Sequence, residues 1–189
     1  MANYFADAFD VVYHQSEQTI DSLFKCPLSD SINKRVKILN AYYHTRIDGK
    51  NLEEISKTLL QYGEDFENEI RYGDKDAAVK KIAGCVEGYN YFSFATKYCS
   101  FMKPDAYPVY DNMVCRVLNY FQNRDKFYKD DRWLRLEEIR KNKDYNQFVR
   151  IIDAFKQYED ENRKRLEVSY KDLDKYLWLV GANIKTSIS

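Results

Sequence analysis

The sequence predicts an all-α fold. Apolar residues recur at three- and four-residue spacing along nearly the whole chain, and no segment shows the strict alternation of a half-buried strand. Only 3 prolines and 6 glycines occur in 189 residues, too few for the many tight turns of a sandwich or barrel. A chain of this length buries a core without staples. It is read as a single helical domain over residues 1–189, either undivided or in two lobes.

The first helix carries Phe5, Phe9, Val11, Val12, Ile20 and Phe24 and stops before Pro27. Ser29 or Ser31 caps the second, whose Ile32, Val36, Leu39, Tyr43 and Ile47 keep helical spacing up to a turn at Asp48-Gly49. Asn51 caps a third, with Leu52, Ile55 and Leu59 as its apolar stripe and Gly63 just past its end. Asp74 and Asp76 are candidate caps for DAAVKKIAGCVEGY. YFSFATKYCSFM then makes a helix, KPDAYP a loop, and DNMVCRVLNYF a helix with Val114, Val117, Leu118 and Phe121 on its apolar face. The highly charged residues 125–144 form a long connection with a helix in it. YNQFVRIIDAFKQYEDENR is strongly amphipathic, and SYKDLDKYLWLVG closes the fold, capped by Ser169 and stopped by Gly181.

Charged residues make up 32% of the chain and aromatics 16%, including 17 tyrosines, which describes a well-charged globular protein rather than a disordered one. No apolar run is long enough to span a membrane, and MANYFADAFDVVYHQ lacks the basic and apolar regions of a secretory leader. Cys26, Cys85, Cys99 and Cys115 form no CxxC pair, and His14 and His44 are the only histidines. These features predict a reduced cytoplasmic protein with no membrane, metal or cofactor requirement. The formal net charge of zero argues against a nucleic-acid partner. Charge is uneven, however: residues 64–70 are acidic and residues 34–37 (KRVK) and 163–165 (RKR) basic, so a basic face balanced by an acidic one stays open.

The candidate chemistry lies in FATKYCSFMKPDAYPVYDNMVCRVLNYF, residues 94–121. Asp111 opens a helix, where its carboxylate accepts amide hydrogen bonds from the first turn. Held there it stays ionised at neutral pH and can also stabilise a developing cation or activate a water. Lys97 sits on an aromatic-rich helix. Either it snorkels to water or it is desolvated between helices, as an amine nucleophile or a cation that holds substrate. The aromatic run YNYFSF, residues 89–94, is core or a set of stacking faces, Tyr91 among them. Tyr43 and Arg46, three apart on one expected helix, can line a cleft, and His44 is read as structural.

PVYDNMVCRVLNYF resembles a segment of the helix-hairpin-helix DNA glycosylases, in which a short proline-containing loop leads to an aspartate opening a helix. The helix around Ala95–Met102 and the C-terminal LDKYLWLVG are similar to the 8-oxoguanine DNA glycosylase-like branch, and the likeness is clearest over residues 88–120. The resemblance implies a two-lobed helical fold with an aromatic-rich cleft, DNA as partner, and base excision by cleavage of the N-glycosidic bond of a flipped base. It gives Asp111 the role of stabilising the sugar cation or positioning the nucleophile. Anchored on Asp111, it puts Ser93 at the Schiff-base lysine station, with Lys97 one helical turn later on nearly the same face. Either a shorter loop gives Lys97 the lysine role or the role is absent. Gly88-Tyr89-Asn90-Tyr91-Phe92 stands where the family's hairpin glycines lie, leaving Lys103 and Arg116 as candidate phosphate contacts. Tyr43, Arg46, Tyr91 and Ser93 are the candidate substrate-binding residues. The competing expectation is a non-catalytic helical module of the same fold that binds nucleic acid or protein. The bland one is a helical protein whose PVYD merely starts a capped helix.

Overall fold

The computed structural model describes residues 17–129, 136–163 and 168–186. Phe5, Phe9, Val11, Val12 and His14, residues 130–135 of the charged connection, and Lys164 and Arg165 of the basic run lie outside the described residues. Among the described residues every regular element is a helix. Residues 17–25 form α1, followed by α2 (Leu28–Tyr42), α3 (Gly49–Tyr72), α4 (Lys75–Ala83), α5 (Phe92–Met102), α6 (Asn112–Asp125), α7 (Leu136–Asn142), α8 (Tyr145–Arg163) and α9 (Tyr170–Thr186). Helices α2 and α3, α4 and α5, and α6 and α9 pack as pairs, while α5 also touches α2 and α3 and α8 touches α4. No helix of the described residues is long and apolar enough to cross a membrane.

Local side-chain chemistry sets most boundaries. Asp74, Asp111 and Ser169 each accept from an amide of the following first turn, as N-caps do. Asp76 is not a cap of α4; its carboxylate accepts from Tyr145 N and caps α8 across the helix interface. The serines do not cap α2. Pro27 occupies that position, and Ser31 Oγ donates back to the Pro27 carbonyl. Asp48 rather than Asn51 caps α3. Gly63 takes the left-handed φ of 69° expected of a helix end, yet a second helical stretch follows at once and α3 continues through the kink. Gly181 does not stop α9. A Cβ there would meet Met113 Cγ at 2.4 Å, so the glycine lets α9 lie against α6.

The second helix is shorter than its periodicity suggests. It ends at Tyr42, and residues 44–48 form a loop strapped down by Asn40, whose amide donates to the Ile47 carbonyl (3.2 Å) and accepts from Ile47 N (3.0 Å) and Thr45 Oγ1 (2.6 Å). His44 and Arg46 carry φ of 47° and 58° in this loop. Left-handed backbone at two non-glycine residues costs on the order of 1 kcal/mol or more each and persists only where surrounding bonds over-determine it.

The core runs through Ile20, Leu39, Ile55, Phe92, Phe94, Val117, Phe148 and Phe155. Much of the tyrosine usage is explained here. Buried Tyr110 and Tyr145 pack their rings among Phe92 and Phe148, and buried Tyr107 stacks on Tyr145. The hydroxyls of Tyr107, Tyr110 and Tyr145 donate to the carbonyls of Ile70, Leu136 and Pro108 at 2.7, 2.8 and 2.9 Å. Burial pushes all three phenols up, so they remain neutral donors. Together they pin residues 107–110, the segment that delivers Asp111 to the head of α6.

Candidate functional site

The first turns of α5 hold the backbone next to Asp111 from both sides. Ser93 Oγ donates to the Tyr110 carbonyl (3.0 Å), and Thr96 Oγ1 accepts from Tyr110 N (3.0 Å). Asp111 is thereby fixed with one carboxylate oxygen on the Met113 amide (2.7 Å) and the other facing α5. Lys97 meets that second oxygen at 2.9 Å and also donates to Ser93 Oγ at 3.1 Å. Its ammonium lies 4.7 Å from the centroid of the Tyr43 ring. The Lys97 side chain is only 2% exposed, whereas Asp111 keeps 24%. The lysine therefore does not snorkel to water; it is held beneath the aspartate. Ser93 and Lys97, alternatives for one lysine station, contact each other and converge on Asp111.

This pair forms the floor of a cleft of about 630 Å³. Tyr43, Arg46, Tyr91, Ser93, Lys97, Asp111 and Arg116 all line it. Tyr43 does so from the C-cap of α2 and Arg46 from the loop that follows, not from one continuous helix. Lys103 is not part of it. It caps the far end of α5, about 15 Å along the axis from Ser93, and its ammonium is bound to the Arg71 carbonyl.

Several cleft residues were not singled out as site candidates by sequence reasoning. His44, read as structural, is exposed on the lining, as is Asn90, whose amide donates to the Arg140 carbonyl at 2.8 Å. Arg140 of α7 joins Arg46 and Arg116, so three exposed arginines line the cleft. Its position within a uniformly charged stretch gave no signal of this. Behind Tyr43, on the side away from the cleft, Asp174 of α9 lies with Glu17, Asp21, Lys171 and Lys175. Burial of its carboxyl, and then the Asp111 carboxylate, pushes Asp174 up to about 7 despite the opposing Lys97 ammonium. Burial and then Asp174 likewise push the Tyr43 phenol well up. Among the described residues no three His, Cys, Asp or Glu side chains converge to hold a metal.

Comparison with known proteins bears first on the half of the chain that builds α2 to α5. A family model for the HI_0787_N N-terminal domain matches residues 2–106, more than half of the 189 residues. The chain belongs to the HI_0787_N family. An uncharacterized protein of Haemophilus influenzae is 32% identical over 169 residues, which are 87% of this chain and 71% of the relative. No solved structure matches the chain. The HI_0787_N match takes in Tyr43, Arg46, Tyr91, Ser93, Lys97 and Lys103 and ends before Asp111 and Arg116.

Proposed function

We propose that the protein is a DNA glycosylase-like enzyme of the cytoplasm that releases a damaged or modified base from DNA, with Lys97 and Asp111 as its catalytic residues. The observation that carries this reading is the 2.9 Å contact between a buried ammonium and a part-exposed carboxylate at the floor of a cleft. Burying the ammonium of such a pair costs desolvation that offsets the attraction, so the pair is a poor source of stability. Its position in a cleft favours a chemical use. The guanidinium groups of Arg46, Arg116 and Arg140 give the cleft a local positive field despite zero net charge, which suits a phosphate-bearing substrate.

The chemistry balances with these groups. The C1′–N bond breaks, its electron pair leaves with the base, and the base takes up the proton that Asp111 accepts from the attacking water or lysine. The electron-poor sugar lies against the Asp111 carboxylate. In simple hydrolysis a water gives its proton to Asp111 and its oxygen to C1′. In the lyase variant Lys97 gives a proton to Asp111 and its nitrogen lone pair to C1′; a proton then passes from that nitrogen to the ring oxygen, and the C1′–O4′ bond breaks to leave a Schiff base. Tyr43 and Tyr91 supply ring faces for the extruded base.

A second reading has its own observation. Both Asp111 oxygens are engaged, one by the Met113 amide and one by Lys97, so the pair also works as a strut joining α5 to α6 in a module that binds without chemistry. Incubation with duplexes carrying a panel of oxidised, alkylated or deaminated bases separates the two. The enzyme reading expects release of at least one base, reduced at least about 100-fold by Asp111→Asn. Binding with no release from any duplex favours the module.

A further inference from the structure

The turn between α4 and α5 carries a feature that the chemistry above leaves unused. Val86 to Tyr89 form a tight turn closed by a hydrogen bond from Tyr89 N to the Val86 carbonyl (3.2 Å), with Gly88 at φ 78° in its third position. That φ requires glycine in a turn of this kind. The following residues are fixed at both ends. Tyr91 N donates to the Ala83 carbonyl (2.9 Å), and the Asn90 side chain accepts from Phe92 N (3.2 Å) and donates to Arg140 (2.8 Å).

On this rigid turn the rings of Tyr89 and Tyr91 lie 5.5 Å apart between centroids and within 11° of parallel. That is offset stacking. Tyr91 lines the cleft, while Tyr89 continues the stack outward and remains 52% exposed. An isolated exposed tyrosine would carry no argument. Here the exposed ring extends an aromatic stack out of a cleft lined by Arg46, Arg116 and Arg140, on a turn tied to Arg140 itself. A flat face that extends a stack out of an arginine-lined cleft matches a ligand with a planar ring next to an anion, repeated along a chain.

We infer that Tyr89 is a stacking platform for an unpaired nucleobase of a DNA strand, the neighbour of the nucleotide that enters the cleft. The inference rests on the nucleic-acid reading of that cleft and deepens it: the strand is held locally single at the cleft mouth, with its phosphates on the arginines and one base on Tyr89. Stacking of this kind tolerates any base.

Binding of a fluorescein-labelled single-stranded deoxythymidine oligomer, followed by anisotropy at low salt, tests this. Tyr89→Ala is expected to weaken binding about 10-fold, while Tyr89→Phe and Tyr89→Trp stay within about 2-fold of the wild type. The Trp variant should also lose emission on binding as the indole stacks. Unchanged affinity in Tyr89→Ala, or a Phe variant as weak as the Ala variant, overturns the platform. No binding by the wild type overturns both the platform and the nucleic-acid reading. If Tyr89→Ala weakens binding but no duplex yields a released base, the platform stands and the glycosylase chemistry falls.

Discussion

Arg35 of α2 and Lys97 of α5 are both cations sealed from solvent, 0% and 2% exposed, each with one carboxylate partner. Their remaining partners differ in kind. Arg35 is used up by the fold: besides Glu67 it donates to the carbonyls of Leu23, Phe24 and Cys26 and to the Tyr98 hydroxyl, closing the end of α1 onto α2 and α5. Phe24 covers its guanidinium from one side. Lys97 donates its hydrogen bonds to side-chain oxygens, those of Ser93 and Asp111, and both face a cleft. Burial and ion pairing alone thus do not distinguish a structural cation from a chemical one. Backbone carbonyls cannot be exchanged for substrate without unfolding the chain, whereas a hydroxyl and a carboxylate at a cleft floor can.

The sharpest way to break this comparison is to remove each charge in turn. Arg35→Met takes the guanidinium from Glu67 and from the Phe24 and Cys26 carbonyls and leaves the Leu23 carbonyl with the Cys26 amide, and it should lower stability in urea unfolding by on the order of 3–5 kcal/mol. Lys97→Met leaves a carboxylate that water in the cleft can reach, and it should cost only about 1 kcal/mol. Equal losses would make Lys97 another staple.

A smaller effect comes from the acidic side of the site. Asp174 keeps its proton up to about pH 7 when folded, but ionises near about 4 when unfolded. Between those values the native state binds more protons than the unfolded state, so stability falls as pH rises through the window. Asp174→Asn should flatten that fall, by on the order of 2 kcal/mol for a group that water partly reaches. An unchanged pH profile of the melting temperature would remove Asp174 from the electrostatics of the pair.

The smallest expected effect is at the helix contact behind Asp111. Gly181→Ala drives a methyl into Met113, the residue whose amide Asp111 caps. Overpacking should exceed the gain in helix propensity and leave the protein about 1 kcal/mol less stable. A stabilised variant would show that Met113 moves freely and that α9 does not brace the site.

The same contrast shows where sequence reasoning stops. The bounds of α8 and the caps at Asp74, Asp111 and Ser169 were legible because a cap and an apolar stripe are local signals. Lys97 and Asp111 could be paired because both lie within one short helix–loop–helix. Arg35 could not be recognised within KRVK, which read as a basic surface run, since its acceptors come from α1, α3 and α5. The true end of α2 was hidden because Tyr43 and Ile47 continue its spacing, and only the Asn40 strap reveals the loop. Asp76 is by spacing a candidate cap of its own helix, beside Asp74, because its partner amide is almost 70 residues away, at 2.9 Å. Asp174 and Arg140 reach the site by tertiary packing alone, which no spacing encodes.

The most direct test of the account is borohydride reduction during incubation with a duplex from which the wild type releases a base. Attack by Lys97 at C1′ predicts a covalent protein–DNA adduct that maps to Lys97 and is absent in Lys97→Gln, while that variant stays folded. An adduct that survives in Lys97→Gln, or base release undiminished in Asp111→Asn, would contradict it.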